Sequence, residues 1–149
     1  MFNAAQIHLA FNHIPIVGFL FIAPLLFLTI FIKKNEYKRL ALLGTVLISL
    51  FSLPVFFSGE PAEKTIKNLP GIQKQQIEKH EETAEGALIA SLITGCLATA
   101  GYFLSRKREQ TLKWLVPLVF ASSAVSVGLM VATGHEGGKI RHTELSETP

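Results

Sequence analysis

The stretch that decides the fold is Ile14-Pro-Ile-Val-Gly-Phe-Leu-Phe-Ile-Ala-Pro-Leu-Leu-Phe-Leu-Thr-Ile-Phe-Ile32, followed at once by Lys33-Lys34. It carries no charge and is about as long as a helix needs to cross a bilayer, roughly 20 residues. Three further blocks share its character: Leu40–Phe57, Gly86–Leu104 and Trp114–Thr133. A helix on the surface of a soluble bundle alternates an apolar stripe with a polar one. These blocks show only scattered Ser, Thr, Gly and Pro. Mean hydropathy is +0.39 and 49% of the 149 residues are hydrophobic. The chain therefore reads as one all-α domain, a four-helix membrane bundle with short hairpin connections and up-down-up-down order.

Charge gives the orientation. The net charge of +3 and isoelectric point near 9.1 could suit nucleic acid. The distribution argues for a membrane instead. Lys33, Lys34, Lys38 and Arg39 lie between the first two blocks, and Arg106, Lys107, Arg108 and Lys113 between the last two. These connections hold eight of the 14 basic residues against two acids, Glu36 and Glu109. Basic loops stay on the cytoplasmic side, which predicts that the N-terminus, the central connection and the C-terminal tail face outward. The first block does not read as a cleaved signal. No Lys or Arg precedes it and no small-x-small site follows it. Cys96 stands alone in the third block and reads as a packing residue.

The pattern also predicts the finer organisation. Asn3 to His13 reads as a short interfacial helix or the first turns of helix one, with Pro15 near a helix start. Pro24 predicts a kink. Helix two is expected to end near Pro54 and by Gly59 and Pro61. Asn68-Leu69-Pro70-Gly71 is a turn signal. Ile72–Glu85 is rich in helix formers and predicts an outward extension of helix three. Helix four is expected to end at Gly134, before a polar tail with the pair Gly137-Gly138.

Five histidines, His8, His13, His80, His135 and His142, fall at the non-basic end of this arrangement. Neutral imidazole is a common ligand for heme iron and transition metals. His8 and His13 sit roughly 140° apart on a straight helix, so they are expected to act separately. His13 and His80 come from different helices and are the first choice for an axial pair. His8, His135 and His142 are reserve ligands or propionate partners, and Arg141 is a propionate partner. Glu60 and Glu81 or Glu82 offer alternative ligands to a bare transition ion. Phe2, Phe11, Phe56 and Phe57 are candidate walls for a heme. The chain has no Asp, no Gly-rich phosphate loop, no nucleophile elbow and no paired Cys motif, so hydrolase chemistry is weakly supported. The blocks contain no ionisable side chain at mid-span, which counts against a transporter.

The opening Ile7-His8 … Asn12-His13-Ile14-Pro15-Ile16 resembles the H-x-x-x-x-H-F-P-I start of a family of small bacterial four-helix membrane proteins of unknown function, predicted to be b-type-cytochrome-like. His80, before the third block, is similar to that family's third histidine. Gly137-Gly138 … His142 is similar to its terminal glycine-glycine … histidine segment, with Lys139-Ile140-Arg141 where the family has Leu-Val-Tyr. The resemblance covers nearly the whole chain. It implies a membrane-bound electron-transfer protein with one or two hemes b and a redox protein or quinone as partner. The competing expectations are a His/Glu metal-binding membrane protein and a non-catalytic structural or assembly subunit.

Overall fold

A computed structural model describes residues 2–140, and these are helical nearly throughout. Six α-helices follow one another: α1 Ala4–Phe11, α2 His13–Phe31, α3 Asn35–Phe57, α4 Gly59–Ile66, α5 Lys74–Lys107 and α6 Leu112–Lys139. A single 3-10 turn, Glu109–Thr111, joins α5 to α6. Four segments are long and apolar enough to cross a membrane: Ala4–Phe31, Asn35–Ile66, Lys74–Lys107 and Glu109–Lys139.

Local chemistry explains most of the boundaries. Asn3 caps α1: its side chain accepts from the Gln6 amide while the Gln6 side chain accepts from the Asn3 amide, so two otherwise orphaned donors are satisfied reciprocally. α1 closes at Phe11 and α2 opens at His13. Pro15 falls in the first turn of α2, where a missing N–H costs nothing. α2 continues through Pro24, and α3 through Pro54 to Phe57. α3 ends before Gly59 as expected, but helix resumes at once in α4, whose early Pro61 again sits where helices tolerate proline. The turn itself is present, with Gly71 at φ +81°, a backbone conformation that favours glycine. α6 also departs from expectation. It does not stop at Gly134 but continues through Gly137 and Gly138 to Lys139.

The helices pack with their numbering running in opposite senses. On α2 and α3, Gly18 meets Ile48 and Ile22 meets Gly44. On α3 and α5, Ser52 bonds Ser91 while Arg39 bonds Ser105. On α5 and α6, His80 meets Thr133, and Thr94 meets Ser122 and Ser126. The closest crossing is Gly95 over Ser49, where an added Cβ would fall 2.6 Å from the serine Cβ.

The interior mixes apolar and hydroxylated residues, and large apolar side chains cover much of the surface. Thr45, Ser49, Ser91, Thr94, Ser105, Ser123 and Ser126 are buried, while Phe21, Phe31 and Trp114 are 76%, 71% and 82% exposed. Small hydroxylated residues let helix backbones approach and bond across the interface, and apolar side chains gain nothing by leaving a hydrocarbon solvent. The apolar core has Leu26, Leu42, Val116 and Val119 in one cluster and Phe19, Ile22 and Met130 in another. The basic end is tied together by Arg39, which donates to the Ser105 carbonyl and pairs with Glu109 at 3.1 Å, while Asn35 donates to the same carboxylate.

Candidate functional site

The end of the bundle away from the basic loops holds a cavity of about 600 Å³, a size common among small-molecule and cofactor sites. All six helices contribute to its wall. α1 brings His8, with Asn12 just beyond its end. α2 brings Pro15 and Ile16, α3 brings Val55, Phe56 and Phe57, and α6 brings Met130 and Thr133. α5 brings Glu78, Glu81, Glu82 and Glu85 with His80 and Leu88. The spacing of those glutamates, three and four apart, places them along one side of the helix. Glu60 comes from α4.

His8 and His80 stand together in this cavity, with ring centroids 6.4 Å apart and ring planes at 84°. Each ring is held through Nδ1. His80 Nδ1 lies 3.0 Å from the Thr133 carbonyl oxygen, which only accepts, so Nδ1–H donates. His8 Nδ1 lies 2.8 Å from Ser58 Oγ. The Ser58 hydroxyl spends its one proton on the Val55 carbonyl at 2.6 Å, so here too Nδ1–H is the donor. In the neutral ring Nε2 then keeps its lone pair. A hydrogen bond at one ring nitrogen thereby selects the other as the coordinating atom.

The remaining polar lining is mostly carboxylate. Glu60 is paired with Lys64 at 2.6 Å and Glu78 with Lys74 at 3.0 Å. Asn12 Oδ1 is buried without a hydrogen-bond partner. Lys79 and Lys139 both lie on Glu136, at 3.6 and 3.0 Å, which ties the outer turns of α5 and α6 together beside His80.

Other histidines singled out by the sequence lie elsewhere. His13 is exposed, its Nδ1 bonded to the Leu9 carbonyl at 2.8 Å, and it does not line the cavity. The residue brought beside His80 is therefore His8. His135 is also exposed and outside the lining. Arg141 and His142 lie outside the described residues. Among the suggested walls, Phe56 and Phe57 line the cavity, whereas Phe2 and Phe11 are 83% and 49% exposed and do not. Among the described residues, no group of three or more His, Cys, Asp or Glu side chains is placed to hold a metal ion.

Three residues that shape the site gave no functional signal in the sequence. Ser58 and Thr133 read as ordinary hydroxylated residues near helix ends, and Asn12 as part of the short helix from Asn3 to His13. Only packing shows that two of them supply the acceptors for His8 and His80. No family model matches the chain, and neither does any curated protein or solved structure.

Proposed function

We propose that this chain is a small membrane-bound, b-type-cytochrome-like electron-transfer protein, with a heme held between His8 and His80. The observation that carries this reading is the paired imidazoles, each anchored at Nδ1 and each retaining Nε2. His8 and His80 would hold the heme, their ring centroids lying 6.4 Å apart within one cavity. Phe56, Phe57, Ile16 and Met130 supply apolar surface for a macrocycle. Bound there, heme would supply reversible one-electron chemistry, and two histidine ligands would direct it to electron transfer rather than oxygen activation. His8 replaces His13 as the partner of His80 in this reading.

The membrane setting belongs to the same proposal. The four long helices span the bacterial inner membrane up-down-up-down, with the basic connections in the cytoplasm. The termini, the cavity and the outer turns of α5 then face the periplasm, where a redox protein or a membrane quinone exchanges the electron.

The cavity carboxylates favour a second reading, a transition-metal site using His8, His80 and Glu60 or Glu81. The two readings differ in the number of protein ligands they require. The macrocycle supplies four ligands to a heme iron, so two imidazoles complete it. A bare ion needs more protein ligands than two, and no such group converges among the described residues.

The test is the visible spectrum of the protein purified in detergent from heme-sufficient cells, with and without dithionite. A sharp Soret band and a reduced α band, lost in His8→Ala and in His80→Ala, are expected. A colourless protein that takes up no added hemin sinks the proposal, and metal analysis of the same sample decides the second reading.

A further inference from the structure

The outer end of α6 carries Gly134, Gly137 and Gly138 inside a continuous helix. None has a positive φ, since Gly71 is the one glycine with that conformation among the described residues. These glycines therefore neither turn the chain nor end the helix. Glycine inside a helix is unfavourable relative to alanine, so a glycine kept there needs another reason.

For Gly137 the reason is steric. A Cβ at this position would lie 3.0 Å from His80 Cε1 and 3.2 Å from His80 Nδ1. The imidazole thus lies against the space a side chain at 137 would take, with its Nδ1 3.0 Å from the Thr133 carbonyl one turn earlier on the same helix. At Gly138 an added Cβ meets nothing within 4 Å. The same two helices also meet at the Lys79–Glu136 pair beside this contact and, further along, where Thr94 bonds Ser122 and Ser126.

We infer that Gly137 is the positioning residue for His80: its missing side chain admits the imidazole against α6 and so fixes which ring nitrogen is left to coordinate. The coordination part of this statement rests on the proposed role of His80 as a ligand; the seating of the ring does not.

Two measurements on the full chain in detergent test it. In protein labelled with [15N]histidine, correlation spectra at neutral pH report which ring nitrogen carries the proton. The wild type and Gly138→Ala are expected to show His80 protonated at Nδ1 alone, and Gly137→Ala a mixture of tautomers. The second measurement is a double-mutant cycle read by melting temperature. Alanine at 137 is expected to raise the melting temperature in a His80→Ala background, where only helix propensity acts, and to lower it when His80 is present. In the hemin-loaded protein, Gly137→Ala is expected to weaken heme binding at least tenfold, the order seen when a ligand loses its orienting partner.

An unchanged tautomer in Gly137→Ala, or an equal rise in melting temperature in both backgrounds, overturns the inference. If the wild type takes up no heme, the proposed function fails while the tautomer and melting comparisons still decide the role of Gly137.

Discussion

His8 and His80 meet with their ring centroids 6.4 Å apart although they belong to the first and fifth helices of the chain. Each is braced by a different element. Ser58, between α3 and α4, holds one ring, and Thr133 on α6 holds the other. The pair is thus a product of four helix segments, and its geometry depends on all of them.

The first expectation separates His8 from His13. His8→Ala and His80→Ala are each expected to abolish the reduced α band, because loss of either axial imidazole leaves the iron with an incomplete pair. His13→Ala is expected to retain it, since that ring is exposed and bonded back to its own chain. Difference spectra at matched protein concentration check all three. Loss of the band in His13→Ala with retention in His8→Ala would restore the pairing suggested by sequence.

Ser58 offers a gentler probe. Ser58→Ala removes the acceptor of His8 Nδ1–H but leaves the imidazole in place. Loss of such an orienting partner typically costs 10–100-fold in affinity, so hemin titration is expected to show weakening of about tenfold or more. Ser58→Thr keeps a hydroxyl and is expected to recover most of it.

Helix packing makes a separate prediction at the α3–α5 crossing. Gly95→Ala forces a Cβ to within 2.6 Å of the Ser49 Cβ, and neither atom can rotate away. Overpacking of this kind costs about 1–3 kcal/mol. Gly128→Ala, where an added Cβ meets nothing within 4 Å, is expected to be neutral or slightly stabilising through helix propensity. Thermal unfolding in the same detergent compares the two variants.

Topology is accessible to labelling. In a Cys96→Ser background, single cysteines at Lys34 or Lys107 are expected to resist a membrane-impermeant thiol reagent in intact cells. Cysteines at Lys67 or Gln73 are expected to react. The opposite pattern would invert the orientation proposed from the charge bias and move the cavity to the cytoplasmic side.

Several features were legible in the sequence because they depend on local composition and spacing. Ile14–Ile32 and its three counterparts announce apolar helices by length and lack of charge, and the described residues contain four helices long and apolar enough to cross a membrane. The Asn-Leu-Pro-Gly turn declares Gly71 because glycine adopts its φ without strain. The histidines and the glycine pair stand out as candidates by residue type alone.

Partnership was not legible. Helical projection separates His8 from His13, but nothing in linear spacing says which of them faces His80. That depends on the break after Phe11 and on how α1 and α4 lie against the bundle. Gly137 illustrates the same limit. A glycine pair after an apolar block reads as a helix stop, yet here the helix continues and an imidazole from another helix occupies the space of the missing side chain. Composition and periodicity report the preferences of each segment for its solvent, whereas the site arises from contacts between segments distant in sequence. The sequence by itself determined the apolar helices and the basic loops. Only the tertiary structure decided that His8 stands beside His80, that Ser58 and Thr133 accept from their Nδ1–H groups, and that the glutamates of α5 share the same cavity.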